Sequence, residues 1–188
     1  MNKLSETIHR LAQIINDPNC ARMNCSSVKG YLGELLIKKK FEDEGLIVKH
    51  HGNQSGYDLS FRYGDNDFRI DVKTSLLKNE SKRTSNYYWG WALLHENKKK
   101  KIKATHIVCL GCHRDYSPSF FIVIPFDKVA KFPNGMKQFS KVKHGLMISK
   151  TRNKQMEDSF IRQCQSIMRA NKIEIVDFNK SLKNKIRP

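Results

Sequence analysis

Near the start of the chain, apolar positions recur at helical spacing. Leu4, Ile8, Leu11, Ile14 and Ile15 fall on one face of a predicted helix that Asp17-Pro18 stops. A second predicted helix opens with Ser26 or Ser27 as N-cap, runs through Val28, Tyr31, Leu32, Leu35, Leu36 and Phe41, and ends at Gly45. Glu34 sits in its middle. From Leu46 the pattern shortens to β-type runs, LIVKH, YDLSF and FRIDVKT, divided by HGNQSG and YGDND, whose Gly, Asn and Asp favour turns. A helix followed by a three-stranded meander is the expectation.

After a polar, basic stretch from Lys78 to Lys103 come THIVCLGC and FFIVIPF, continuous β-branched runs suited to central strands buried on both faces. Between Arg152 and Ala170, residues Met156, Phe160, Ile161, Cys164, Ile167 and Met168 share one helical face, predicting a late helix over the sheet. IEIVDF reads as a short edge strand, and the tail KSLKNKIRP is too charged to order itself without a partner. The expected class is α/β, an α+β mixed sheet flanked by helices. With 188 residues and no repeat or clear linker, the expectation is one domain over 1–188, its core about 26–126 and a C-terminal helix and basic tail about 152–188.

Charge narrows the partners. The formal net charge is +17, from 35 basic and 18 acidic side chains, an excess that favours a polyanion, nucleic acid first. No stretch approaches the ~18 apolar residues of a spanning helix, and MNKLSETIHR has no apolar targeting core. A soluble, intracellular, cytoplasmic protein with no membrane partner is expected. The five cysteines form no framework and read as reduced thiols.

Period-2 alternation puts Asp58 on one strand and Asp71 and Lys73 on the same face of the next, while Ile70 and Val72 face the other way. A strand that anchors one face in the core rarely presents Asp and Lys together on the other without a use. Phosphodiester cleavage has matching needs: carboxylates for hard divalent ions and a cation near the attacking water and phosphate.

These residues resemble the PD-(D/E)xK nuclease superfamily, which includes many type II restriction endonucleases, Holliday-junction resolvases and repair nucleases. The matching pieces are Gly56-Tyr57-Asp58 and Asp71-Val72-Lys73, with Tyr57 where the motif has proline. KGYLGELLIKKKFEDEGLIV looks like the helix preceding the catalytic meander in such enzymes, with Glu34 at the position of their extra metal-binding carboxylate. The resemblance spans roughly Val28 to Ser75 and implies a restriction-endonuclease-like core. It implies that Asp58, Asp71, the Val72 carbonyl and Glu34 hold Mg²⁺, with Mn²⁺ able to substitute, and that Lys73 orients water or stabilises phosphorane charge. By the same resemblance the substrate is double-stranded DNA, cut to 3′-hydroxyl and 5′-phosphate ends by a homodimeric, site-specific restriction endonuclease. A structure-specific or homing endonuclease, and an inactive DNA-binding protein on this fold, are the alternatives.

The residues also permit plainer roles. Glu34 lies one turn before Lys38 and is placed for an ordinary i,i+4 pair. His50 and His51 read as a solvated turn that is able to touch phosphate, and Thr74 and Ser75 as hydroxyls satisfying backbone groups. Cys109, Cys112 and His113, with Cys20 and Cys25, have poor zinc spacing, and buried thiols are the preferred reading. Trp89 and Trp91 alternate with Gly90 and Ala92, and core packing is preferred to base stacking. DNA phosphates are expected at Lys98, Lys99, Lys100 and Lys101, with Lys82, Arg83, Arg114 and the segment from Lys137 to Arg152 further DNA-binding candidates, for base readout.

Overall fold

In the computed structural model, residues 3–17, 26–52, 56–81, 84–95, 103–134, 142–149 and 159–180 are described. Helix α1 (Lys3–Asn16) lays Ile8, Leu11, Ala12 and Ile15 against Val28, Leu32 and Leu36 of helix α2 (Ser26–Asp43). The opposite side of α2 sends Ile37 and Phe41 into a strand layer, so α2 is apolar on two sides because it is covered on two sides. Gly45 ends it at φ 91°, and the Leu46 amide reaches back to the Phe41 carbonyl at 3.1 Å. Three consecutive basic residues of α2 are paired along the chain, Lys38 with Glu42, Lys39 with Asp43 and Lys40 with Glu44.

The strands are β1 (Lys49–His50), β2 (Leu59–Tyr63), β3 (Asn66–Leu76), β4 (Lys78–Ser81), β5 (Thr84–His95), β6 (His106–Cys112), β7 (Pro118–Pro125), β8 (Val142–Ser149) and β9 (Ile175–Asp177). They make a six-stranded sheet, β1-β2-β3-β6-β7-β9, and a three-stranded sheet, β4-β5-β8. Only β3 and β6 pair in parallel among these strands. A parallel pair needs a long crossover, most often a helix. Here β4 and β5 lie within that crossover and belong to the second sheet.

This topology explains the uninterrupted apolar runs. On β6, Val108, Leu110 and Cys112 join Ile37, Phe41, Leu59, Ile70 and Phe121 on the α2 side. Ile107 and Cys109 face the other way, with Phe120, Ile122 and Ile124 of β7, onto Trp89, Trp91 and Leu93 of β5 and Leu146 and Ile148 of β8. The indole of Trp89 donates to the Cys112 carbonyl at 2.8 Å and that of Trp91 to the Leu110 carbonyl at 3.1 Å. Each buried indole thus satisfies its one polar atom across the seam between the sheets. Core packing of both tryptophans is what the structure shows. Helix α3 (Ser159–Ala170) adds Cys164 and Met168 to this second core beside β8.

The β-meander is shorter than its apolar runs suggest. Strand β1 keeps two residues, and β2 begins at Leu59, leaving Asp58 immediately before it. The late helix starts at Ser159, and the predicted part from Arg152 to Asp158 lies outside the described residues, as does the charged tail from Ser181. Among the described residues no helix is long and apolar enough to cross a membrane. Cys109, Cys112 and Cys164 are buried free thiols, and Cys109 and Cys112 belong to different cores. Cys20 and Cys25 are outside the described residues.

Candidate active site

Strand β3 outruns β2, and the candidate site lies where the two part. Leu59 pairs with Ile70, the last residue pair of β2 on β3, with Asp58 just before it and Asp71 just after. The Asp58 amide donates at 2.8 Å to the carbonyl of Ile70, the residue already paired with Leu59, so the register of β2 on β3 breaks at Asp58. The following amide, that of Val72, donates instead to the Asp58 carboxylate at 2.7 Å. Asp58 is therefore bonded to β3 by both its amide and its side chain, while its carbonyl accepts from the His51 amide at 2.8 Å.

Because Ile70 and Val72 are packed toward α2, alternation turns Asp71 and Lys73 to the opposite face. Lys73 Nζ donates to Asp71 Oδ1 at 2.6 Å, and Asp71 is only 9% exposed. This is a partly buried pair within one strand, unlike a solvated cross-strand pair. Lys73 also borders a cleft of about 380 Å³ between β3 and β5, with Ser75, Lys78 and Gly90 on its walls. Ser75 Oγ accepts from the Gly90 amide at 3.1 Å, the backbone role expected of it. Thr74 faces α2, its hydroxyl buried without a partner among the described residues, where a Cβ on Gly33 would come within 1.8 Å of it.

Glu34 is not paired with Lys38. Its Oε2 accepts from His50 Nε2 at 2.6 Å, since an ionised carboxylate can only accept. His50 rests edge-on to Tyr31 with ring centroids 5.3 Å apart. His51 Nε2 and Ser60 Oγ hydrogen bond at 2.7 Å. Neither histidine is the solvated turn residue expected from the sequence. Their roles depended on how α2 sits over β1 and on strand register, which local composition does not encode.

Electrostatics ties the four groups together. Burial pushes the Asp58 carboxyl up to about 6; the Val72 amide opposes this, Asp71 and Glu34 add to it by repulsion, and Lys73 lowers it. Crowded carboxylate oxygens are, in kind, the hard donors that a divalent cation takes. Among the described residues no three His, Cys, Asp or Glu side chains are already gathered into a metal cage. The donors fit such an ion in chemistry, while Asp71 and Asp58 now spend contacts on Lys73 and the Val72 amide.

Of the residues expected to hold DNA, Lys82, Arg83, Lys98, Lys99, Lys100 and Lys101 lie outside the described residues. Arg114 is on the turn after β6, its guanidinium 6.0 Å from the Tyr87 ring centre. Asp71 is level with Ile107, so Arg114 is about 20 Å of strand rise away from the carboxylates. The segment from Lys137 to Arg152 contains β8, whose Leu146 and Ile148 are core residues.

No family model matches this chain, and no curated protein is significantly similar to it. Among solved structures it is similar to a bacterial homing endonuclease, I-Ssp6803I, at 15% identity and a TM-score of 0.46, over 80% of this chain and 99% of that one.

Proposed function

We propose that this chain is a Mg²⁺-dependent endonuclease that hydrolyses phosphodiester bonds of double-stranded DNA. The observation that carries the reading is the Asp58 carboxylate bonded to the Val72 amide, between Asp71 and Lys73, which pair with each other on one face of β3. Asp58, Asp71, the Val72 carbonyl and Glu34 would hold the ion, with Mn²⁺ able to substitute. When bound, a divalent cation supplies Lewis acidity and neutralises negative charge.

The remaining work falls to the chain itself. Lys73 brings a positive charge beside both carboxylates, where negative charge develops on the phosphoryl oxygens during in-line attack. Partial burial of Asp71 and Lys73 strengthens that charge relative to water. His50 fixes Oε2 of Glu34, leaving Oε1 without a hydrogen bond among the described residues. The excess of +17 supplies sequence-independent attraction for the duplex. Within this class we favour a site-specific enzyme of the type II restriction kind acting as a homodimer, because no separate reading module stands out in the sequence and two copies are needed to cut both strands at once.

Plasmid digestion with Mg²⁺, followed by sequencing of the fragment ends, tests the reading. Discrete ends with 5′-phosphates are expected. Asp71→Ala is expected to lower the cleavage rate on the order of 10²–10³-fold or more, with DNA binding retained or tightened. Full cleavage by that variant would sink the site. Preference for branched over linear DNA would move the assignment to a structure-specific enzyme. Binding without cleavage in either Mg²⁺ or Mn²⁺ would make it an inactive DNA-binding protein.

A further inference from the structure

The face of β1, β2 and β3 turned away from α2 carries a row of groups that the carboxylate site does not use. Leu59, Phe61 and Ile70 pack toward α2, so alternation sends Ser60, Arg62 and Arg69 to the opposite face. Register then aligns Lys49 with Ser60 and Ser60 with Arg69, one row across three strands. Two residues along the chain from Ser60 and from Arg69 lie Asp58 and Asp71, about 6.8 Å of strand rise away. That step is comparable to the one between neighbouring phosphates of a nucleic-acid strand.

Lys49, Arg62 and Arg69 are exposed. Lys49, Ser60 and Arg69 border one groove of about 780 Å³, together with Arg62 and Tyr57. The His51 ring, 4.8 Å from that of Tyr57, bonds to the central Ser60 hydroxyl. Asp67, opposite Arg62, offsets part of the charge one row further out.

If Lys49 and Arg69 served to balance the neighbouring carboxylates, they would be bonded to them. Instead, Asp71 is bonded to Lys73 and Asp58 to the Val72 amide. Exposed cations beside an already satisfied acidic pair suit an anion from outside. The second sheet covers the equivalent face of β6 and β7, whereas Lys49 and Arg69 remain open.

We propose that the Lys49–Ser60–Arg69 row holds the DNA backbone next to the bond that is cut, an inference that rests on the nuclease reading above. Each basic side chain neutralises one phosphate, the Ser60–His51 pair offers a polar contact between them, and the row delivers the next phosphate to Asp58 and Asp71.

The test is duplex DNA binding by fluorescence anisotropy in EDTA over a range of salt. Wild type is compared with Lys49→Ala/Arg69→Ala and with a charge-matched control, Arg162→Ala/Arg169→Ala, on exposed positions of α3. The first variant is expected to bind about 10-fold or more weakly near 0.1 M salt, and its slope of log affinity against log salt to fall by about 2. In Mg²⁺ it should raise KM far more than it lowers kcat. Equal weakening of both variants, or none in the first, overturns the row as a binding site while leaving the nuclease reading intact. A wild-type chain that binds no DNA overturns both.

Discussion

Asp58 carries conflicting demands in a single side chain. It satisfies the Val72 amide, which favours its charged form, yet burial and the nearby Asp71 and Glu34 raise its pKa from 3.8 to about 6. The folded state therefore binds this proton more tightly than the unfolded chain. Stability from this group is full below about pH 3.8 and is lost as pH rises through about 6. The loss amounts to roughly 3 kcal/mol. Asp58→Asn keeps an oxygen acceptor for Val72 and removes the charge. In EDTA near pH 8 its Tm is expected to exceed wild type by on the order of 5–10 °C, with the difference shrinking toward pH 4. Equal melting curves at both pH values would show that Asp58 carries no such penalty. At this scale the shared face of Asp71 and Lys73 was legible, because strand alternation is a local property. The use of the Asp58 carboxylate as the last rung between β2 and β3 was not, since it depends on β2 starting at Leu59.

At the scale of elements, the seating of α2 on β3 sets where Glu34 lies relative to Asp58. The contact is close at one point: Gly33 admits the Thr74 side chain, and an added Cβ would meet Oγ1 at 1.8 Å and the Thr74 Cβ at 3.0 Å. Thr74 is branched at Cβ and has no short way round. Gly33→Ala is expected to destabilise by about 1–3 kcal/mol despite its better helix propensity, measured as a lower urea midpoint. An unchanged or higher midpoint would mean that α2 shifts freely on the sheet. The two helices and the strands β6 and β7 were readable from period and from unbroken apolar runs. The second sheet was read only in part. Leu93 and the two tryptophans mark the buried face of β5, but β8 pairs through VKHGLMIS, where Lys, His and Gly blur the alternation. Long-range pairing with β5 organises that segment, and its own pattern does not reveal it.

For the molecule as a whole, the two sheets divide labour. One extends as β1, β2 and β3 to present two carboxylates beside open cations; the other covers the far face of β6 and β7. Because β4 and β5 lie in the crossover that joins β3 to β6, the second sheet forms part of the route by which the chain makes its parallel pair. The overall layering followed from the sequence, since two continuous apolar strands require cover on both sides. What supplies the cover did not follow, because the tryptophans dock by indole bonds to carbonyls distant in sequence. Those two residues are all the tryptophan the chain has, and both sit in the seam between sheets. Their intrinsic emission is thus an optical gauge of sheet docking, built in without a label, and Trp91 also lines the cleft that Lys73 borders. Urea is expected to shift it to the red in step with loss of the fold, while saturating Mg²⁺ or duplex DNA leaves its maximum unchanged. A shift on DNA binding would reveal that the seam, or the cleft beside it, changes when the polyanion arrives.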